Sequence, residues 1–334
     1  MIYNKMIIDI LNNILKNSKF EEQINVHNLN KYTSEHIFIF KLSLLPYKIF
    51  PAETIHQRKY SKLAILLCPN NSNITDVNHL KNTLIELDCS GTKNGINQKG
   101  LADLKALKIL DCSFNNKIND VTHLTSSLEE LYCDYELSNY ITNENKNKNK
   151  CTSRTFSISR IGISHVYNEN SNKKKFKNIL NKNGTLKTIS QKDIDVLHKL
   201  RILSCENNMN IKNVNNLTNT LEKLYCRGIY CGINQEGISK LKKLTLLDCH
   251  GNKKIYDANI FRDTLVELYC GGKCGIKQKN IDELVYLKKL NCASNSSINN
   301  IDNFMLDEIY CELSGINSYI SNNIKKMLWH RKIY

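Results

Sequence analysis

The chain has 334 residues, of which 41 % are hydrophobic, and its formal net charge at pH 7 is +15. This hydrophobic content is sufficient for a sizeable core, and the positive charge permits contact with nucleic acid. No segment approaches the roughly 20 consecutive apolar residues of a membrane span, and the N-terminus lacks the apolar stretch of a secretory signal. We therefore expect a cytoplasmic protein without membrane contact, in a reducing compartment.

The first segment, residues 1–38, is predicted to be a helical cap. Its apolar residues recur at the spacing of one helical face, and they are Ile7, Ile10, Leu11, Ile14 and Leu15. A stack of repeats needs such a cap because its outermost hydrophobic face would otherwise remain exposed.

A repeated frame, L-x-x-L-x-C or a close variant, runs through segments 39–137 and 188–316. Within each segment successive cysteines of the frame stand between 19 and 23 residues apart. Such a fixed period is the signature of stacked repeats. The ten cysteines of this ladder are Cys68, Cys89, Cys112, Cys133, Cys205, Cys226, Cys249, Cys270, Cys292 and Cys311.

Two types of repeat alternate. The type "LKILDCSFNNKINDVTHL" (107–124) has Asn three residues and Ile six residues after the cysteine. The type "LEKLYCRGIYCGINQEGISKL" (221–241) carries G-I-x-Q instead. The residues at 39–45, "IFKLSLL", place Leu44 in the cysteine position and are predicted to form a first, degenerate repeat.

The segment 138–187 is predicted to be a basic, Asn/Lys-rich insertion. It contains eleven Lys or Arg residues against two acidic ones. The array resumes at Ile189, which precedes Cys205 by sixteen residues, as Ile96 precedes Cys112. One connection has therefore been lengthened and no repeat is missing. The insertion is interpreted as a flexible, solvated loop, with nucleic-acid binding as the alternative.

The last segment, 317–334, is predicted to be a second helical cap. We expect its apolar residues Ile320, Ile324, Met327 and Leu328 to face the last repeat.

These segments resemble the leucine-rich-repeat family, and are most similar to the cysteine-bearing repeats of large DNA viruses of amoebae, which share the Asn, Lys and Ile bias. The resemblance implies an α/β solenoid, a horseshoe of about eleven repeats with a concave parallel β-sheet. It also implies short helices or irregular turns on the convex side. It implies no catalytic residues, and a viral origin would imply the host cytosol. Some similar proteins look like ubiquitin-ligase adaptors, which would place an adaptor module at 1–45.

The ladder cysteines are predicted to be small buried hydrophobic groups. In L-x-x-L-x-C the second Leu and the Cys share one face of a strand, and that face points into the solenoid. Disulfides are disfavoured because the Cβ vectors of neighbouring rungs run parallel and the compartment is reducing. Cys231 and Cys274 lie outside the ladder, in C-x4-C and C-x3-C pairs, and are weak zinc candidates. We predict no metal site and no cofactor.

The residues one and three positions before each cysteine are expected to line the concave face, because they point away from the core. Recurring tyrosines, aliphatic residues between them and acidic residues favour a protein or peptide over a phosphate backbone. The predicted partner-binding residues are Tyr132, Tyr225, Tyr269, Tyr310, Ile109, Ile202, Leu246, Asp111 and Asp248.

The sequence contains no Walker loop, G-x-S-x-G or H-E-x-x-H motif, so no enzymatic activity is expected. The leading hypothesis is a monomeric, non-enzymatic scaffold that binds an unidentified protein partner on its concave face. Nucleic-acid binding through 138–187 and a ubiquitin-ligase adaptor role through the N-terminal segment are the alternatives.

Overall fold

A computed structural model of the chain describes residues 38–44, 52–135 and 188–316, together with the pair Lys326–Met327. These residues fall into two compact units, of which the first ends at Leu131 and the second begins at Tyr132. The predicted N-terminal cap, except for its last residue, and the whole insertion 138–187 lie outside the described residues.

Each repeat contributes one short strand, and each strand ends at the residue before the cysteine position. The strands are β1 Lys41–Ser43, β2 Ile65–Leu67, β3 Glu86–Asp88, β4 Ile109–Asp111, β5 Glu130–Tyr132, β6 Ile202–Ser204, β7 Lys223–Tyr225, β8 Leu246–Asp248, β9 Glu267–Tyr269, β10 Lys289–Asn291, β11 Glu308–Tyr310 and β12 Lys326–Met327.

All strand pairs with a defined register are parallel. They join β1 through β4 in the first unit and β6 through β12 in the second, each strand to its neighbour in sequence. From β1 to β11 the middle residue of each strand is a buried Leu or Ile, while the flanking residues point to the other face. The predicted leucine-rich-repeat solenoid, with about eleven repeats and one parallel strand in each, is confirmed. The repeat at Leu44 is confirmed with it, because β1 directly precedes that buried leucine.

The connections between strands contain short helical turns, as predicted. In the described repeats one α-helix, α1, spans Gln191–Val196, and the other helical turns are of the tighter 3-10 type. In most repeats the last residue of the turn is a buried apolar residue. The 3-10 turns are Ala52–His56, Arg58–Tyr60, Asn78–Leu80, Lys99–Leu101, Thr122–Leu124, Asn215–Leu217, Glu236–Ile238, Asn259–Phe261 and Gln278–Asn280.

The ladder cysteines lie in the core, as the sequence predicts. All ten are at most 5 % exposed, and all twelve described cysteines are free thiols. Their backbone groups extend the sheet by one residue: the Cys226 N–H donates to the Asp248 carbonyl at 2.8 Å, and the Cys249 N–H to the Tyr269 carbonyl at 2.9 Å. A small side chain suits this position because the chain leaves the strand directly afterwards.

The asparagine three residues after the cysteine bonds the preceding repeat. Asn252 donates to the carbonyls of Cys226 (3.0 Å) and Ile233 (3.1 Å), and its oxygen accepts from the Lys254 N–H. Such buried backbone groups need partners, and one amide supplies both donor and acceptor. The structural role is confirmed for a buried series: Asn71, Asn115, Asn208, Asn252 and Asn295.

The glutamine of G-I-x-Q makes a second link that the sequence did not reveal. The Gln235 side-chain oxygen accepts from the N–H groups of Tyr256 and Asp257, each at 2.9 Å, and its amide donates to the Asp257 carbonyl. The side-chain oxygens of three other glutamines accept in the same way from the backbone N–H groups 21 and 22 residues later. These glutamines are Gln98, Gln191 and Gln278. The asparagine side chains therefore hydrogen-bond the preceding repeat, and the glutamine side chains hydrogen-bond the following repeat.

The predicted restart of the array at Ile189 is confirmed. Ile189 is buried, and its carbonyl accepts from the Asn208 amide at 3.0 Å. In the first unit the Ile96 carbonyl accepts from Asn115 in the same way, at 3.1 Å.

The C-terminal cap is predicted to be helical, but its described residues, Lys326–Met327, are a strand that pairs in parallel with β11. At these residues the helical prediction is wrong. The pairing gives the open backbone edge of β11 hydrogen-bond partners, a requirement that helical periodicity does not reveal. The remaining residues of 317–334 lie outside the described residues.

The second residue after the cysteine adopts a left-handed backbone in nine repeats. Glycine fills the position in four of them, and five repeats have another residue there, among them Ser294 with φ 60°. A left-handed conformation costs a non-glycine residue about 1–2 kcal/mol.

The asparagine series can be tested with Asn252→Ala. We expect the free energy of unfolding to fall by about 2–4 kcal/mol, because two buried carbonyls and one N–H lose their partner. Urea denaturation followed by circular dichroism measures the change. The exposed Asn219→Ala serves as the matched control and should change stability by at most about 0.5 kcal/mol. Equal effects of the two substitutions would contradict the role of the asparagine series.

The left-handed position can be tested with Ser294→Gly. We expect a gain of about 1 kcal/mol in the free energy of unfolding, because Ser294 is exposed and glycine removes the conformational cost. Ser296→Gly, two residues later and also exposed, should give no gain. Thermal and urea unfolding of both variants measure the difference.

Candidate partner-binding surface

The strand surface is formed by the first and third residues of each strand, which the sequence analysis assigns to the concave face. In the second unit Tyr225, Asp248 and Tyr269 lie side by side in register on β7, β8 and β9. Tyr310 on β11 lies next to Asn291, which neighbours Tyr269. Because parallel strands are about 4.8 Å apart, Tyr225 and Tyr269 are separated by about 10 Å along the sheet. The tyrosines are partly exposed.

Arg227 is the centre of a charged cluster beside these tyrosines. It directly follows Cys226, and its Nε donates to Oδ2 of Asp248 at 2.6 Å, while a terminal nitrogen also contacts that carboxylate. Its Nε lies 3.5 Å from Oε1 of Glu206, which directly follows Cys205. The Asp248 side chain is 1 % exposed, but those of Arg227 and Glu206 are 25 % and 28 % exposed and remain accessible.

A third carboxylate, that of Asp134, completes the cluster. It accepts from the Ser204 hydroxyl at 2.6 Å and from the Glu206 N–H at 2.9 Å. Burial raises the pKa of Asp134 to about 6, against the hydrogen bonds that lower it. Burial, followed by the charge of Asp134, raises the pKa of Glu206 well above its usual value.

The cluster therefore holds three carboxyl groups around one guanidinium. Burial alone would lower the pKa of Arg227, but the charges of Asp248 and Glu206 raise it, so Arg227 stays protonated. The pKa values of Asp134 and Glu206 are raised chiefly because burial disfavours the charged carboxylate, and the negative charge of Asp134 adds to this effect at Glu206. A cationic group placed beside the partly exposed Glu206 would favour the ionised form of this carboxyl group.

His250 directly follows Cys249, as Glu206 and Arg227 follow their own ladder cysteines. Its ring packs against Gly271 and Gly272, where a Cβ atom would lie 2.7 Å from Nδ1 and 3.0 Å from Nε2, respectively. This close approach explains the two glycines of "YCGGK". Burial lowers the pKa of His250, so the ring is neutral at pH 7.

Three of the residues predicted to touch a partner are almost fully buried. Leu246 is 5 % exposed, because it lies in register between Lys223 and Glu267, whose long side chains stand on either side. Asp248 is fully buried under Arg227, and Asp111, at 4 % exposure, accepts from the Ser113 N–H. Their contact with a partner stays a prediction, which these small exposed areas do not favour.

Tyr132 is also buried, at 8 % exposure, whereas Ile109 and Ile202 keep part of their surface. Ile202 lies in register beside Lys223 in the second unit, and Ile109 beside Glu86 in the first. Their role in binding a partner stays a prediction.

Glu206, Arg227 and Asp134 were missed by the sequence reasoning, which considered only the residues one and three before the cysteine. The signal was present: Glu206, Arg227 and His250 each follow a ladder cysteine in successive repeats. A charged side chain next to a buried strand end must find a partner, and here the partners come from the neighbouring repeats.

The cysteines outside the ladder replace an asparagine of the first unit. Asn94, Cys231 and Cys274 each precede Gly-Ile in this type of repeat. Asn94 donates to the Cys68 carbonyl at 2.7 Å, and the Cys231 thiol donates to the Cys205 carbonyl at 3.7 Å. The position thus closes a turn. Among the described residues no group of three or more His, Cys, Asp or Glu side chains is arranged to hold a metal ion.

No protein-family model and no curated protein matches the chain. Among the solved structures 70 chains match. One is an internalin, InlF of Listeria monocytogenes, with 17 % identity over 78 % of this chain and 71 % of that chain, at a TM-score of 0.41. Another is the functional domain of InlJ from the same organism, described as including a cysteine ladder (15 % identity, 83 % and 64 % covered, TM-score 0.42).

A third is TLR13 in its complex with ssRNA13, with 16 % identity over 89 % of this chain and 50 % of that chain, at a TM-score of 0.44. This chain thus spans half of TLR13 and under two thirds of the InlJ domain. Likeness at this level carries no argument about function, and the fold assignment rests on the strands and turns of the chain itself.

The remaining hypotheses fall on parts of the chain that the structure leaves undescribed. Nucleic-acid binding through 138–187 is one, and the adaptor module at 1–45 is another apart from its residues 38–44. In the described part of the chain no helix is long and apolar enough to cross a membrane.

The buried carboxyl of Asp134 predicts a pH dependence. Its folded pKa of about 6 exceeds the unfolded value of 3.8, so its contribution to stability is present below pH 3.8 and is lost as the pH rises through 6. The Asp134→Asn variant keeps an acceptor for the Ser204 hydroxyl but cannot ionise. Between pH 4 and 7 we expect its unfolding free energy to fall by about 2–3 kcal/mol less than that of the wild-type chain. Urea titrations at four pH values measure it, and parallel curves for both proteins would contradict the assignment.

Proposed function

We propose that the chain is a non-enzymatic scaffold that binds a protein partner on the strand surface of its second unit. The observation that carries the proposal is the cluster of Asp134, Glu206 and Asp248 around Arg227, which adjoins two tyrosines in register. Tyrosine and arginine are enriched where binding energy concentrates in interfaces, since they combine apolar area with hydrogen bonding.

The partner is proposed to present a basic side chain beside apolar ones. Glu206 offers a partly exposed carboxyl group with a raised pKa, and a guanidinium or ammonium placed beside it would favour its ionised form. Elsewhere on the strand surface Glu267 and Glu308 share one cationic neighbour, since Lys289 lies 3.8 Å from Glu267 and 4.0 Å from Glu308. Specificity for a cation is therefore expected to concentrate at Glu206.

A cytosolic setting is proposed as well. The twelve described cysteines are free thiols, eleven of them buried, which suits a compartment in which thiols stay reduced. A host cytosol and a viral source follow from the resemblance alone and are proposed on that basis, as is a monomeric state. The acidic cluster favours a peptide over a phosphate backbone, which it would repel.

The proposal can be tested by selecting peptides from a random display library against the full chain and measuring their affinities by calorimetry. We expect enrichment of peptides with basic residues, and a loss of at least about tenfold in affinity for the double variant Tyr225→Ala, Tyr269→Ala. Glu206→Gln should weaken basic peptides selectively, because it keeps the shape and removes the charge.

The matched control replaces two tyrosines away from the strands, Tyr256 and Tyr286, which are 54 % and 56 % exposed. This Tyr256→Ala, Tyr286→Ala variant should bind with unchanged affinity. Equal affinities for the two double variants would sink the strand-surface proposal. If binding instead disappears on deletion of 138–187 and falls steeply with salt, the basic insertion is the binding element.

A further inference from the structure

Two thiols of the second unit lie close together outside the partner-binding surface. Cys249 directly follows β8, and Cys274 lies in the turn between β9 and the 3-10 turn Gln278–Asn280. Their sulfur atoms are 3.5 Å apart. They belong to successive repeats, since 25 residues separate them in sequence.

One thiol of the pair, that of Cys274, is accessible to solvent. Cys274 is partly exposed, whereas the other eleven described cysteines are buried. Cys231 fills the same position one double repeat earlier. Four residues separate Cys231 from its ladder cysteine and Cys231 is fully buried, whereas three residues separate Cys274 from Cys270. The shorter turn coincides with the exposed thiol.

We propose that Cys249 and Cys274 form a site of reversible oxidation, at which a peroxide converts the two thiols to a disulfide joining successive repeats. Parallel Cβ vectors disfavour disulfides between neighbouring cysteines of the ladder, and this pair lacks that constraint. Cys274 approaches Cys249 from a turn and not from the neighbouring strand, so the two Cβ vectors are not constrained to be parallel.

The local chemistry selects Cys274 as the attacking sulfur. The hydrogen bond from Cys249, followed by the N–H groups of Ile276 and Gly275, stabilises the thiolate and lowers the pKa of Cys274 against the opposing effect of burial. Burial raises the pKa of Cys249, which therefore keeps its proton. Thiolate character and exposure together determine which cysteine a peroxide oxidises.

The reaction balances with hydrogen peroxide as the oxidant. The Cys274 thiolate attacks one peroxide oxygen, the O–O bond breaks, and hydroxide leaves, which produces a sulfenic acid on Cys274. The Cys249 sulfur then attacks Sγ of Cys274, the S–O bond breaks, and a second hydroxide departs. The protons of the two thiols convert both hydroxides to water. Two sulfurs are oxidised, one peroxide is reduced, and a dithiol reductant reverses the bond.

The crosslink would lie directly beneath the partner-binding surface. Cys249 follows the buried Asp248, and its N–H donates to the Tyr269 carbonyl at 2.9 Å. A disulfide from Cys249 to Cys274 would close a loop that contains β9, which restricts the unfolded chain and stabilises these two repeats. The inference does not require that a partner binds.

The experiment exposes the folded full-length chain to hydrogen peroxide, blocks the remaining thiols with iodoacetamide and maps peptides by mass spectrometry. We expect a linked peptide that contains Cys249 and Cys274, its disappearance after dithiothreitol, and a higher urea midpoint for the oxidised chain. Cys205, Cys226 and Cys231 should stay reduced over the same time. Mapping by peptide keeps Cys151, which lies outside the described residues, separate from the count.

Two variants keep the test decisive. In Cys249→Ala the Cys274 sulfenic acid has no resolving thiol, so dimedone should trap it. In Cys274→Asn, which copies the turn residue Asn94 of the first unit, Cys249 should stay reduced. Over-oxidation of Cys274 in the wild-type chain without a link to Cys249 would overturn the proposal. So would linkage among Cys205, Cys226 and Cys231 at an equal rate.

Discussion

The fold depends on buried side-chain amides that bond the backbone of neighbouring repeats. Each strand of three residues contributes few hydrogen bonds, and the turns that follow leave carbonyl and N–H groups inside the stack. Asn252 serves the repeat before it and Gln235 the repeat after it. Because an unpaired buried backbone group costs about 1–3 kcal/mol, every repeat needs such a link. The two amides therefore set the spacing at which Leu and Cys side chains stack.

Because the amides and the stacked core side chains hold the repeats together, the residues of the strand surface are free to vary. The core positions carry Leu, Ile and Cys almost without exception, but the third strand residue is Asp, Tyr, Ser, Asn or Leu in different repeats. The second unit uses this freedom to assemble Arg227 with three carboxyl groups from three different repeats. Long-range stacking of short local units thus produces a charged cluster whose members are far apart in sequence.

The solenoid, the number of repeats, the burial of the ladder cysteines and the asparagine role were predictable, because each follows from a period repeated about eleven times. The restart at Ile189 was predictable for the same reason. The exposure of the residues on the strand surface was only partly predictable. Tyr225 and Tyr269 were placed correctly on the strand surface, whereas Leu246 and Asp248 were expected to be exposed and are buried. Their exposure depends on neighbours such as Glu267 and Arg227, which periodicity does not specify.

The sequence by itself determined what each position of the repeat does, since side-chain size, strand alternation and turn chemistry act within about twenty residues. Only the tertiary structure decided which side chains meet across repeats. The pairing of Arg227 with Asp248 and the approach of Cys274 to Cys249 arise from positions 21 and 25 residues apart. Their distances depend on the exact length of each turn and on the register of the stack. A change of one residue between the Cys231 and Cys274 turns accompanies the change from a buried thiol to a partly exposed one beside a second sulfur.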